Sequence, residues 1–135
     1  MLQRVFSPPK TRILVVEDDA LDFAYVEYCL TNWTAGETEI VWASTVEEAD
    51  QLLSHSDYDI VVLDYHVGAR TPGALIRHLR KPDNHVPVMV ISSQHQSKLE
   101  FFLEAIDDTV FVDKTTMTSA KFKDGMAALG LQLHA

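Results

Sequence analysis

The sequence predicts an α/β protein: a single doubly wound domain built on a five-stranded parallel sheet. Two observations carry this. Five short apolar runs rich in Val and Ile recur along the chain, each too short for a helix. Longer amphipathic stretches separate them, giving a strand–helix order repeated five times, and that order implies parallel strands joined by right-handed crossovers. A third observation bears on function. Two of the runs, "ILVVEDD" and "DIVVLDY", lead straight into carboxylates.

The elements follow in chain order. Residues 1–10 hold Pro8-Pro9 among polar neighbours and read as an unstructured lead-in to a domain over 11–132. The first strand is predicted at Ile13–Val16. The first helix is predicted at Ala20–Trp33, where Phe23, Val26, Leu30 and Trp33 form a stripe at spacings of three and four. Ile40–Ala43 reads as the second strand. Ser44 followed by Glu47 is a capping-box signature that starts a second helix over Ser44–Leu53. Ile60–Leu63 is the third strand, and Pro72–Arg80 a third helix opening on a proline tolerated in a first turn. Val86–Ile91 is the fourth strand, Ser97–Ile106 the fourth helix and Val110–Val112 the fifth strand. Thr118–Leu129 closes the chain, with Gly130 as its C-cap. None of the strands alternates with polar residues, as expected when both faces of a sheet are covered.

Composition narrows the function classes. The chain has 135 residues and a formal net charge of −9, which argues against a surface that attracts nucleic acid. No apolar run approaches a membrane span, and the first residues lack the apolar core of a signal peptide. Cys29 is the single cysteine, so no intrachain disulfide forms, and its place on the first helix reads as inert packing. The expected location is cytoplasmic, with neither nucleic acid nor membrane as partner.

Ligands of doubly wound sheets bind beyond the carboxyl ends of the strands. There the sequence puts Glu17, Asp18, Asp64, Ser92 and Lys114, after strands one, three, four and five. Three carboxylates packed together raise the cost of ionising one another. A divalent cation and one lysine relieve that cost, and hard oxygen ligands point to Mg²⁺ or Mn²⁺ rather than zinc. Taken singly, each residue has a plainer reading. Asp64 and Asp18 read as caps, Ser92 as a turn residue and Lys114 as surface. Asp19 is expected only to cap the first helix or to be solvated. The joint placement is what favours a site. The six histidines show no metal-ligand spacing.

With these residues in place, the chain resembles the response-regulator receiver domains of two-component signalling over roughly residues 11 to 130. The resemblance implies the flavodoxin-like strand order 2-1-3-4-5. It implies that Asp64 accepts a phosphoryl group and that Asp18 and Asp64, with the backbone carbonyl of His66, ligate Mg²⁺. Glu17 would act through water. Ser92 would hydrogen-bond the phosphoryl group and Lys114 would pair with its charge. Ser92 and Phe111 would form the switch toward the surface of the fourth helix, fifth strand and fifth helix. The implied function is a stand-alone phospho-receiver with no room for an appended output domain. It would take its phosphoryl group from a histidine kinase or phosphotransfer protein and signal through contact with a downstream protein. A homodimer stays open. Enzymatic activity would amount at most to self-phosphorylation from a phosphodonor and slow autodephosphorylation. The alternative is a pseudo-receiver that binds partners without being phosphorylated. A flavodoxin-like nucleotide binder is poorly supported, because no Gly-rich phosphate loop follows the first strand.

The chain departs from the family pattern in three places. The loop after the acceptor reads "DYHVGARTPG", with Val67-Gly68 where a Met-Pro step is usual and Gly73 displaced by one residue. The switch aromatic, Phe111, has no hydroxyl. Thr115 follows Lys114 where a proline, often after a cis bond, is usual. A cis bond before a non-proline residue costs about 2.5–4 kcal/mol, so a trans bond is expected, with a threonine hydroxyl stabilising the turn.

Overall fold

A computed structural model describes residues 10–31, 38–65, 67, 76–77, 85–92 and 108–130. Five strands, β1 (Thr11–Val16), β2 (Thr38–Ala43), β3 (Ile60–Asp64), β4 (Val88–Ser92) and β5 (Thr109–Asp113), form one sheet in the order β2-β1-β3-β4-β5. Every pairing is parallel. This is the flavodoxin-like order expected above.

The strands alternate between two apolar cores, one on each face. Leu14, Val16, Val61, Leu63, Val88 and Val90 pack with Val46 and Ala49 of helix α2 (Val46–His55). Ile13, Val15, Ile60, Val62, Met89 and Ile91 pack with Val26, Cys29 and Leu30 of helix α1 (Ala20–Thr31) and with Phe122 and Met126 of the C-terminal helix (Ser119–Ala128). Burial on both sides explains the unbroken apolar runs. Cys29 is buried as expected. Burial pushes its thiol pKa up, and a hydrogen bond with Tyr25 opposes that only in part, so the thiol stays protonated and inert.

Several boundaries differ from the sequence expectation. Helix α2 starts at Val46, capped by Thr45 rather than Ser44: the Thr45 hydroxyl accepts from the Glu48 N–H, and the Glu48 carboxylate accepts from the Ser44 hydroxyl. The string "STVEE" carries two overlapping capping-box patterns; Thr45 serves as the cap, and Glu48 reaches back to Ser44. Strand β4 begins at Val88, not Val86, because Pro87 has no N–H for the ladder; its carbonyl still accepts from the Val61 N–H. Strands β1, β2 and β5 extend into polar residues that the apolar runs did not reveal. Asp64 and Ser92 are the last residues of their strands rather than the first beyond them. Asp19 caps α1, its Oδ1 accepting from the N–H groups of Leu21 and Asp22. Gly130 follows the C-terminal helix at φ 78°, the left-handed position that ends helices. Ile76 and Arg77 are helical, inside the third expected helix. The rest of that helix, the fourth expected helix, residues 1–9 of the lead-in, Trp33, His66, Gly68 and Gly73 lie outside the described residues.

Candidate functional site

The parallel register brings the predicted residues to one edge. Val16 pairs with Leu63, Asp64 with Ile91 and Ser92 with Asp113, so Glu17, Asp64, Ser92 and Lys114 all stand at the carboxyl ends of their strands. Glu17, Asp18 and Asp64 each offer a carboxylate oxygen within 4.8 Å of the others. Glu17 and Asp64 are buried, Ser92 is fully buried, and Asp18 is exposed at the mouth.

Glu17 is fixed by its backbone. Its N–H donates to the Ala43 carbonyl at 3.0 Å and its carbonyl accepts from the Trp42 indole N–H at 2.6 Å, so strand β2 holds both groups. The Trp42 ring in turn stacks on Phe23 of α1, with centroids 4.5 Å apart and planes 7° apart. The Glu17 side chain accepts from the Asp19 N–H through Oε1 and from Lys114 through Oε2. Its carboxyl pKa is pushed up from 4.5 to about 8. Burial is the main cause, followed by the hydrogen bond with Asp64 and the Asp64 charge; the Asp19 N–H and Lys114 pull the other way. A proton is thus held among these acids near neutral pH.

Lys114 crosses the edge to meet them. Its Nζ lies 2.7 Å from Asp22 Oδ2, 3.1 Å from Glu17 Oε2 and 3.2 Å from Asp64 Oδ2. Burial alone would lower its pKa, but Asp22, Asp64 and Glu17 more than offset this and raise it, so the ammonium is charged at any physiological pH. The turn that aims it is built without proline. The Lys114–Thr115 bond is trans, as are all the peptide bonds of the described residues. Lys114–Thr116 forms one 3₁₀ turn capped by Asp113, whose Oδ1 accepts from the Thr115 N–H at 2.9 Å and from its hydroxyl at 2.7 Å. The Tyr25 hydroxyl donates to the Met117 carbonyl at 2.8 Å and ties this segment to α1.

Asp22 is the residue that the sequence reading missed. An acid in a first helical turn suits the helix dipole and needs no further role. Its pairing with Lys114, 92 residues away, depends on how α1 sits over the sheet edge. Phe111 is half-buried and packs against the core on the α2 side. The His66 carbonyl lies outside the described residues.

The arrangement is chemically specific: a cluster of oxygen donors suited to a hard cation, two of its carboxylates buried, and one ammonium against it. Comparisons with known proteins agree. The family model described as "Response regulator receiver domain" matches residues 13–129. No curated protein sequence matches the chain. Among solved structures, the bacteriophytochrome response regulator AtBRR is 21% identical, with a TM-score of 0.78 over 95% of this chain and 98% of its own. The chemotaxis response regulator CheY4 of Vibrio cholerae is 15% identical, with a TM-score of 0.74 over 90% of this chain and 99% of its own. The receiver domain of sensor histidine kinase PA1611 from Pseudomonas aeruginosa PAO1, solved with a magnesium ion in its active site cleft, is 18% identical, with a TM-score of 0.72 over 90% and 99%. These likenesses establish the shared fold, and the family match, which takes in residues of all five strands and the acid cluster, decides membership: the chain belongs to the response regulator receiver domains of two-component signalling.

Proposed function

We propose that the chain is a phospho-receiver in which Asp64 accepts a phosphoryl group from a histidine kinase or phosphotransfer protein. The observation that carries the reading is the contact of Lys114 Nζ with Asp64 Oδ2 at 3.2 Å, inside a cluster completed by Glu17 and Asp18. In the reaction an Asp64 oxygen attacks phosphorus. The bond from phosphorus to the donor's nitrogen breaks, the nitrogen takes up a proton, and an acyl phosphate remains on Asp64. Little covalent chemistry falls to the protein, so its task is positioning and charge neutralisation. Lys114 supplies a fixed positive charge against the acceptor. Ser92, at the end of β4, supplies a hydroxyl on the same edge.

The donor set also fits Mg²⁺ or Mn²⁺: three carboxylates, two buried and one exposed, whose crowding Lys114 alone does not balance. Asp18 and Asp64 would hold the ion directly and Glu17 through water, and the PA1611 receiver carries a magnesium ion in its own cleft. When bound, the ion supplies countercharge for the transferring oxygens. The added charge, about −1.5 to −2 on Asp64, would draw Ser92 inward and let Phe111 shift, changing the surface offered to a downstream protein or to a second copy of the chain.

Incubation with phosphoramidate and Mg²⁺, followed by intact mass, tests this. One added phosphoryl group is expected on the wild type and none on Asp64→Asn. Equal labelling of both would remove Asp64 from the role. No labelling of a folded wild type that binds Mg²⁺ would leave the pseudo-receiver, a partner-binding module that is not phosphorylated.

A further inference from the structure

We propose that Asp22 is a positioning residue that competes with the phosphoryl group for Lys114 and so slows phosphorylation of Asp64. The inference rests on Asp64 being the acceptor. An ammonium has three N–H donors, and Lys114 has three carboxylate partners among the described residues. The shortest contact, 2.7 Å, goes to Asp22, which stands outside the oxygen cluster of Glu17, Asp18 and Asp64. The carboxylate that grips Lys114 most closely is therefore not one of the three that would face an incoming phosphoryl group.

The place of Asp22 in the fold makes this grip firm before reaction. Its backbone is pinned in the first turn of α1 by the N–H bond to Asp19 Oδ1 at 3.0 Å. The Tyr25–Met117 bond holds the same helix against the segment that follows Lys114. Neither tie depends on what is bound at Asp64. When a phosphoryl group arrives, Lys114 must turn donors toward its oxygens, and the contact with Asp22 weakens as the new charge develops. An interaction stronger in the ground state than in the transition state raises the barrier. The Asp22 side chain is 47% exposed, against 0% for Glu17 and 6% for Asp64, so its negative charge also stands at the rim, where an anionic donor approaches. Removing the charge frees Lys114 and lowers the repulsion together, and both effects accelerate transfer.

The test compares labelling rates of the wild type, Asp22→Asn and Asp22→Glu with phosphoramidate and Mg²⁺. Circular dichroism serves as a check on folding, and Asp22→Ser as a second neutral variant. A half-exposed charge contact corresponds to labelling about threefold to tenfold faster in the neutral variants, with the slow rate restored by Glu. The Lys114 side-chain ¹⁵N ammonium signal gives an independent readout: it should be protected in the wild type and weakened in Asp22→Asn, a change that a merely structural role would not produce. Labelling of the neutral variants alone would also support the brake. A labelled wild type with neutral variants equal or slower would overturn it while leaving Asp64 as acceptor. No labelling of any variant would overturn the acceptor reading and the brake with it.

Discussion

Each end of the sheet sets a cation against acids, and the two ends behave differently. At the amino end, Arg12 Nε lies 3.0 Å from Glu39 Oε2, its Nη1 donates to the Asp57 carbonyl at 2.8 Å, and its guanidinium lies 4.7 Å from the Tyr58 ring centroid. Its backbone N–H donates to Asp59 Oδ2 at 2.7 Å. At the carboxyl end, Lys114 meets Asp22, Glu17 and Asp64 at similar distances. The difference is water. Arg12 and Glu39 are 32% and 46% exposed; Asp22 is as open, at 47%, but Lys114, Glu17 and Asp64 are only 13%, 0% and 6% exposed. Solvent screens the first group, so it acts as a fastener whose charges nearly cancel their own desolvation. The second group holds more acids than cations with little water to share the imbalance. A crowded, buried excess of negative charge costs stability, and it is useful where further positive charge or a transferred group is to be received.

The largest expected effect comes from taking the cation out of the buried end. Lys114→Met keeps most of the side-chain volume but leaves the acids facing one another. Removing one partner of a buried pair costs about 3–5 kcal/mol, and protonation of Glu17 should bring the loss toward the lower value. Urea unfolding of the metal-free chain near neutral pH measures it. A loss below about 1 kcal/mol would mean that the carboxyl end is as well screened as the amino end.

Next in size is a pH effect confined to the carboxyl end. The folded chain holds the Glu17 proton more tightly than the unfolded chain, with a pKa of about 8 against 4.5. Folding then takes up a proton between those values. Glu17's contribution to stability therefore falls as pH rises from 4.5 through about 8 and levels off above it. The expected span is on the order of a few kcal/mol. Denaturation midpoints of the metal-free protein across that range should show the decline, and Glu17→Gln should flatten it. A midpoint that rises with pH in the wild type, relative to Glu17→Gln, would reverse the sign argued here.

The smallest effect belongs to the amino end. Arg12→Met should cost about 1 kcal/mol or less, and salt should reduce the difference further. Phosphoramidate labelling should not change. A cost equal to that of Lys114→Met would erase the contrast between the ends.

The sequence shows the sheet far more clearly than the site's wiring. Runs such as Ile60–Leu63 are legible because burial on two faces leaves no room for polar residues, and that constraint acts residue by residue. The ends of β1 and β2 were not legible: Thr11 and Thr38 pair in the ladder, although nothing in their chemistry demands it. Helix α1 is legible from one stripe, although the exposed Leu21 and Tyr28 and the half-exposed Tyr25, whose hydroxyl reaches Met117, blur the pattern. The site's candidates were visible because strand ends are countable positions. Their partners were not. That Asp22 joins Lys114, or that Trp42 binds the Glu17 carbonyl, depends on distances between elements that no local spacing encodes.

The Trp42 contact has an optical consequence. An indole at 38% exposure, donating its N–H to the backbone of Glu17 and lying flat on Phe23, has an excited state sensitive to the position of the Glu17 carbonyl. Any event that shifts the Glu17 carbonyl changes the indole's hydrogen bond and with it the emission. The receiver thus contains a built-in fluorophore on the strand beside its charge centre. Trp42→Phe, which leaves Trp33 as the remaining indole, is the control that isolates its signal in a Mg²⁺ titration. Emission that stays constant while NMR shows the ion bound would mean that the Glu17 backbone does not move on binding.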